Sequence, residues 1–340
     1  MSTTAKAGSP LTCFGFDQEL TRLYFAGPDS GLKGLSMSAD GWHPEVFSTE
    51  PPGRQLTCYG FNGTDPRVFY VGLDAKIYLV HLGDAQPGVK KPPGQPAPGS
   101  PVTCLGVGGQ GARCYYVGTD HLVHELAQNR SGDFSFRNRV VSADVVATGS
   151  GLTCEQDLQQ LVRVFYVSGA DQLLHVAADD NVDDPDGMSD DPIEKTDPAP
   201  GSALTCFGLS NGDTRVYYLD REHRINEVSW TDDDLTNERL DVTAMPGSPL
   251  TCFGVEGQLA RVYYLDDQAQ VNELARVHGQ HGQPDHWVNH PLHYTAAGDS
   301  ALTCFGFQGK WTRLYYLDPG YQVNELAWDP TDKVFINTPL

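Results

Sequence analysis

An arginine followed twelve residues later by a glutamate recurs along this chain, and the two side chains together could bind a polyol. A guanidinium presents a planar fork of donors and a carboxylate accepts hydrogen bonds, so the pair can hold the vicinal hydroxyls of a sugar. The same pair could instead be an ion pair that ties one strand to the next. The four pairs are Arg113 with Glu125, Arg215 with Glu227, Arg261 with Glu273, and Arg313 with Glu325.

The residues between arginine and glutamate predict a β-hairpin. In one copy Val216-Tyr-Tyr-Leu219 forms a strand, Asp220–Arg224 a turn, and Ile225-Asn-Glu-Val228 the next strand. A turn centred on residue 221 places positions 215 and 227 opposite each other, with both side chains on one face. Three further arginines, Arg22, Arg67 and Arg163, are followed at the same distance by Gly34, Leu79 and His175.

The hairpin belongs to a motif that occurs seven times. Each copy opens with Leu-Thr-Cys or Val-Thr-Cys, and the cysteines are separated by 45 to 52 residues, the length of four short strands and their turns. This predicts an all-β fold, a single seven-bladed β-propeller with four antiparallel strands per blade. One domain then spans 1–340, with blades at approximately 9–54, 55–100, 101–150, 151–201, 202–248, 249–300 and 301–340.

Composition and charge agree with a β protein and exclude some partners. The 340 residues include 15 Tyr and 14 Phe, typical of strands, and 36 Gly and 23 Pro, typical of many turns. The net charge of −21 repels phosphate backbones, so nucleic acid is not an expected partner. No stretch of 18 or more apolar residues is present, so membrane insertion is not expected.

Seven of the eight cysteines occupy the same repeat position. Equivalent positions in successive blades are too far apart for a disulfide. We interpret the seven as small packing residues, because a catalytic cysteine is usually unique and lies beside a histidine. Reduced thiols and an N-terminal segment without an apolar leader favour the cytoplasm, with unconventional secretion left open.

Two other polar segments contain residue types that can ligate a metal. Blade four contains an acidic loop at 179–186, and Val182 stands where an EF-hand would need its first ligand. Blade six holds His278, His281, His286, His290 and His293 in a segment rich in Gly, Pro and Asn, which gives no preferred ligand geometry. We expect neither metal nor cofactor, and no recognised catalytic motif is present.

The motif resembles the fucose-specific fungal lectin family over nearly the whole chain. The closest matches are Arg215-Val-Tyr-Tyr with Glu227-Val-Ser-Trp230, and Arg313-Leu-Tyr-Tyr with Glu325-Leu-Ala-Trp328. The resemblance implies that Arg and Glu grip fucose between adjacent blades, with Trp230 and Trp328 as apolar walls. The family typically has six blades, whereas this chain has seven repeats. Outer-strand aromatics stand at only a few places, namely Trp42, Phe134, Trp287 and Phe335.

Three functions are compatible with these features. The first is a carbohydrate-binding lectin, for fucose or fucosylated glycans, with near-equivalent pockets at blades three, five, six and seven. The second is a cofactor-independent enzyme in natural-product biosynthesis, such as a cyclisation catalyst, or a binder of one small hydrophobic molecule, at a single asymmetric pocket near blade four and His175 or at the channel mouth. The third is a protein-interaction platform without a small ligand.

Overall fold

The structure, a computed structural model, is a ring of seven four-stranded antiparallel sheets, which confirms the predicted propeller. It describes residues 3–15, 21–48, 50–61, 65–81, 88–107, 111–128, 135–156, 161–179, 188–208, 213–230, 235–255, 259–279, 285–307 and 311–340. All regular elements within these ranges are strands, and none of the described residues forms a helix that could cross a membrane. Each sheet is built from four strands consecutive in sequence.

The first strand of each blade carries the Thr-Cys motif. These strands are β1 (Leu11–Gly15), β5 (Pro52–Phe61), β9 (Val102–Val107), β13 (Leu152–Gln156), β17 (Leu204–Gly208), β21 (Thr251–Val255) and β25 (Leu302–Phe307). The predicted boundary between residues 54 and 55 falls inside β5, which pairs Pro52 with Gly72 before its register shifts.

The second strand of each blade carries the arginine and is almost wholly buried. These strands are β2 (Thr21–Ala26), β6 (Asp65–Gly72), β10 (Gly111–Val117), β14 (Val162–Val167), β18 (Thr214–Leu219), β22 (Leu259–Leu265) and β26 (Trp311–Leu317). Their Tyr, Phe, Val and Leu side chains pack into cores between consecutive blades. Cys114, the one cysteine outside the motif, is fully buried and lies opposite Cys104.

The third and fourth strands complete each blade. The third strands are β3 (Leu32–Ser38), β7 (Ile77–His81), β11 (Val123–Gln128), β15 (Leu174–Asp179), β19 (Arg224–Trp230), β23 (Gln270–Val277) and β27 (Val323–Asp329). The fourth strands are β4 (Gly41–Ser48), β8 (Gly88–Lys90), β12 (Phe136–Val140), β16 (Met188–Ile193), β20 (Leu235–Thr243), β24 (His286–Thr295) and β28 (Val334–Pro339).

A contact between side chains of the first strands runs around the ring. The threonine of each blade lies with its Oγ1 3.2 to 3.4 Å from the Sγ of the cysteine in the next blade. Thr303 and Cys13 make this contact between blades seven and one, at 3.3 Å. All eight cysteines are free thiols, and those of the motif are half-buried between the blades. The contact explains why Thr and Cys recur together.

Blade seven closes directly on blade one. Leu11, Leu23 and Phe25 of blade one share a buried apolar cluster with Tyr315 and Leu317 of blade seven. The segment before β1 also bonds to blade seven, where the Ala5 amide donates to the Tyr321 carbonyl at 2.8 Å. No strand is exchanged between the described ends of the chain.

Candidate functional site

The hairpin of the second and third strands brings arginine and glutamate to one face, but not directly opposite each other. In blade five Glu227 pairs with Tyr217, and Arg215 pairs with Ser229. The expectation that positions 215 and 227 are opposite is therefore wrong. Leu219 pairs with Ile225, so the turn Asp220–Arg224 is centred on residue 222 instead of 221. Arg215 reaches Glu227 diagonally across the sheet face.

A tyrosine lies beneath each Arg–Glu pair. Tyr217 donates to Glu227 Oε2 at 2.6 Å, and Tyr115 donates to Glu125 Oε2 at 2.9 Å. The same bond joins Tyr263 to Glu273 at 2.6 Å and Tyr315 to Glu325 at 2.8 Å. Burial, together with the adjacent carboxylate, raises the pKa of these tyrosines well above its ordinary value. The hydroxyls therefore stay protonated and hold the carboxylates in place.

Blade four does not carry its histidine at the glutamate position. The turn before β15 is one residue longer than in blade three, so Val176 pairs with Phe165 and His175 pairs with Tyr166. His175 therefore corresponds to His124 of blade three, which pairs with Tyr116. Counting twelve residues from Arg163 misassigns this position, because the count takes the turn to be constant in length.

The cleft between blades three and four is closed by a second arginine. Arg113 Nη1 donates to Glu125 Oε1 at 2.6 Å, and Arg139 of β12 donates to the same oxygen through Nε at 2.9 Å. Arg139 is the direct cross-strand partner of Glu125. With Tyr115 as a third donor, Glu125 is 0% exposed. This carboxylate is inaccessible to a ligand in the described structure.

The cleft between blades five and six contains an arginine, a glutamate and an aromatic wall, but a second arginine covers the glutamate. Arg215 Nη1 donates to Glu227 Oε1 at 2.5 Å, and Arg276 of blade six lies 3.4 Å from that oxygen through its Nη1. Trp287 of blade six packs edge-on against Tyr217, with ring centroids 6.0 Å apart. Glu227 is consequently buried beneath Arg276.

The cleft between blades six and seven holds an open cavity of about 460 Å³. Arg261 and Glu273 lie on the blade-six side, and Trp328 and Phe335 of blade seven form an aromatic corner with ring centroids 5.2 Å apart. Arg261 Nε is 3.7 Å from Glu273 Oε1, while its Nη1 donates to the carbonyls of Ala260 and Arg276 at 3.2 Å. Further cavity-lining residues are Ala275, Val277, His290, Pro291, Leu292, Tyr294, Lys333 and Val334.

In the cleft between blades seven and one the arginine and the glutamate are again in direct contact. Arg313 bonds to Glu325 through Nη1 and Oε1, and Trp42 of blade one packs edge-on against Tyr315 with centroids 6.0 Å apart. Both charged side chains are largely buried, with Arg313 the more exposed at 16%. Trp42, Trp287 and Phe335 thus all face a neighbouring blade's tyrosine. Phe134 lies outside the described residues, and Phe136 takes the corresponding place against Phe69.

Arginines without a third-strand glutamate have other partners. In blade two Arg67 bonds to Tyr59 at 3.1 Å and to Gln128 of blade three. In blade four Arg163 bonds to Glu155 at 2.9 Å, and Trp230 of blade five lies under its guanidinium at 5.5 Å. In blade one Arg22 is 3.6 Å from Glu45. These arginines are therefore structural, which explains why the arginine recurs where the glutamate does not.

One group among the described residues has metal-ligand character, namely Asp144, Asp171 and His175. Sequence reasoning did not find it, because the three residues come from a linker, a turn and a strand. His175 Nε2 is 2.9 Å from Asp171, just as His124 Nε2 is 3.0 Å from Asp120 in the equivalent turn of blade three. The recurrence indicates a turn-stabilising bond. Of the blade-six histidines, His281 lies outside the described residues, and His290 lines the cavity.

Comparison with known proteins places this arrangement in a family. A model described as fungal fucose-specific lectin matches residues 97–287 and 137–338. The chain belongs to this family. Membership supports carbohydrate binding as the activity of the chain. Among curated proteins no significant match is found.

Solved lectin structures share the fold of this family at low sequence identity. The BP39L lectin from Burkholderia pseudomallei is 16% identical with a TM-score of 0.74, covering 100% of this chain and 99% of that chain. The Aleuria aurantia lectin, described as six-bladed, is 14% identical with a TM-score of 0.61, covering 99% and 96%. The SapL1 lectin, solved with α-methyl fucoside, is 19% identical with a TM-score of 0.62, covering 84% and 94%.

Proposed function

We propose that this protein is a lectin that binds fucose or fucosylated glycans in the cleft between blades six and seven. The observation that carries the proposal is that an open cavity adjoins a carboxylate, a guanidinium and an aromatic surface in one cleft. Glu273 offers an acceptor, Arg261 offers donors, and Trp328 with Phe335 offers an apolar wall for a sugar's C–H face. Sugar recognition requires this combination of directed polar groups and an aromatic surface.

The glutamate of this cleft has free hydrogen-bonding capacity. Glu125 and Glu227 each face two arginines and a tyrosine, whereas Arg261 stands 3.7 Å from Glu273 and donates to backbone carbonyls instead. A sugar hydroxyl can therefore bond to Glu273 without displacing a buried ion pair. The proposal places the primary site in blade six, with the cleft of Arg313, Glu325 and Trp42 as a second candidate.

Titration calorimetry with methyl α-L-fucoside and a panel of fucosylated oligosaccharides tests this function. We expect saturable binding that is lost in Glu273→Gln, since an amide cannot replace a carboxylate as a charged acceptor. Glu125→Gln, checked to be folded by circular dichroism, is the matched control, because the same substitution in the closed cleft of blade three lies outside the cavity. Absence of heat with every sugar in the panel, from a folded protein, would rule the lectin function out.

A second candidate is binding of one small hydrophobic molecule in the same cavity. The apolar lining contributed by Val277, Leu292 and Val334 favours it. The two candidates separate by competition with an environment-sensitive apolar dye. A dye bound in this cavity and displaced by fucoside indicates a sugar site. A dye that no sugar displaces, and that the Glu273→Gln variant still binds, indicates an apolar ligand.

A further inference from the structure

One position on the third strand differs between the closed cleft of blades five and six and the open cleft of blades six and seven. It lies three residues after the glutamate or its equivalent and points toward the preceding blade. We call it the third-strand cleft position; its described occupants are Met37, Gln128, Asp179, Trp230, Arg276 and Trp328. Gln128 bonds to Arg67, Trp230 lies under Arg163, and Arg276 bonds to Glu227. Trp328 instead packs on Phe335 of its own blade and leaves Arg261 and Glu273 facing the cavity.

The cleft that Arg276 occupies is otherwise complete. It contains the Arg215–Glu227 pair at 2.5 Å, Tyr217 beneath the pair, and the aromatic ring of Trp287 from the next blade. The open cleft has the same components in Arg261, Glu273, Tyr263 and Phe335, with Phe335 edge-on to Tyr263 at 6.4 Å. The side chain at the third-strand cleft position is therefore a decisive difference between the two clefts.

Resting on the lectin function proposed above, we propose that Arg276 occupies a latent sugar site between blades five and six. The guanidinium donates to Glu227 Oε1 where a ligand hydroxyl would donate in the open cleft. A tethered donor has a high effective concentration at its acceptor, so a weakly bound monosaccharide does not displace it. The residue at the third-strand cleft position thereby decides whether the cleft between blades five and six is a ligand site.

Arg276 can be removed with limited structural cost. Its side chain is 20% exposed, and its contacts are the 3.4 Å approach to Glu227 and a 3.9 Å approach of Nε to Asp285. Glu227 keeps Arg215 and Tyr217 as partners when Arg276 is shortened, so no carboxylate is left buried without a donor. The site should therefore become accessible without loss of the fold.

Reciprocal exchange at the third-strand cleft position tests the proposal on the full chain. Arg276→Ala removes the guanidinium, and Arg276→Trp copies the residue of the open cleft. Trp328→Arg copies the closed cleft. Calorimetry with methyl α-L-fucoside should show one additional site per chain in both Arg276 variants and one site fewer in Trp328→Arg. Adding Glu227→Gln to Arg276→Ala should remove the gained site and restore the wild-type stoichiometry.

The outcomes separate this proposal from the function on which it rests. If the wild type does not bind the fucoside but Arg276→Ala does, the open cleft is not a fucose site and the latent site is supported. If the wild type binds and both folded Arg276 variants keep its stoichiometry, the latent site is overturned while the lectin function stands. If neither the wild type nor the Arg276 variants bind, both proposals are overturned. Circular dichroism and thermal melting establish that each variant is folded.

Discussion

Arg261 and Glu273 are the one described Arg–Glu pair of the motif that is not in close contact. Their Nε and Oε1 atoms are 3.7 Å apart, whereas Arg113 and Glu125 approach to 2.6 Å and Arg215 and Glu227 to 2.5 Å. Arg261 donates instead to the carbonyls of Ala260 and Arg276. The open cavity coincides with this separated pair. Because this ion pair is loose, both of its polar groups keep hydrogen-bonding capacity for a ligand.

Truncation of Trp328 should weaken sugar binding while truncation of Trp230 should not. Trp328 lines the open cavity, so Trp328→Ala removes apolar surface that a bound sugar would cover. Burial of that surface contributes about 1.4 kcal/mol, which corresponds to a roughly tenfold weaker affinity. Trp230 occupies the same strand position but lies under Arg163 in a different cleft. Calorimetry of both alanine variants makes the comparison, and equal losses of affinity would place the site elsewhere.

Replacement of Glu125 should destabilise the protein more than replacement of Glu273. Glu125→Gln breaks the buried pairs that Glu125 forms with Arg113 and Arg139, and breaking a buried ion pair typically costs about 3–5 kcal/mol of unfolding free energy. Glu273→Gln costs less, because Arg261 retains two backbone carbonyl acceptors. Urea denaturation of both variants measures the difference. A smaller loss for Glu125→Gln than for Glu273→Gln would contradict a structural role for the blade-three network.

The Thr–Cys contact between blades seven and one should contribute as much to the free energy of unfolding as the contact at an internal junction. Thr303→Val removes the hydroxyl that contacts Cys13 Sγ and accepts from the Cys13 amide at 3.2 Å. We expect a loss of about 1 kcal/mol in the free energy of unfolding. Thr205→Val removes the corresponding contact with Cys252 at an internal junction and should cost a similar amount. A much larger effect of Thr303→Val would identify the closing junction as the weakest.

Stability should fall as the pH rises above about 8.5, the ordinary pKa of a thiol. Burial raises the pKa of Cys58 and Cys304 to about 12. Between these values the unfolded chain has released thiol protons that the folded chain retains, so the unfolded state binds fewer protons and is favoured. Each thiol contributes a slope of about 1.4 kcal/mol per pH unit. Urea midpoints across this range should fall less steeply in Cys58→Ser, whose hydroxyl does not ionise; equal slopes would contradict the thiol contribution.

The sequence predicts the fold well because one motif is repeated with little change. The Leu-Thr-Cys and Arg-Val-Tyr-Tyr segments establish seven blades, and both elements lie on the predicted first and second strands. Register was harder to predict, since an error of one residue in the centre of the turn moves the partner of Glu227 from Arg215 to Tyr217. The turn of blade four is one residue longer than that of blade three, so counting twelve residues from Arg163 reaches His175 and not the glutamate position.

The state of the clefts was not predictable from the motif. Arg139 comes from a fourth strand and Arg276 from the following blade, and neither position follows the repeated pattern. Four equivalent pockets were expected, at Glu125, Glu227, Glu273 and Glu325, but the first two carboxylates are covered by a second arginine. Whether an Arg–Glu pair is accessible depends on one neighbouring side chain, which the pair itself does not reveal.

The closing junction also bears on how the chain can be rearranged. Thr3 accepts a hydrogen bond from the Val323 amide at 3.2 Å, and the Leu340 amide donates to the Val323 carbonyl at 2.9 Å. Both ends of the described chain are therefore anchored to a single residue, and a few added residues could join them. Each junction between blades has the same kind of Thr–Cys contact. A chain joined in this way and cut within any inter-blade linker should therefore form a circular permutant that keeps all seven contacts. The blade at which the chain begins is thus separable from the closed ring that the seven blades form.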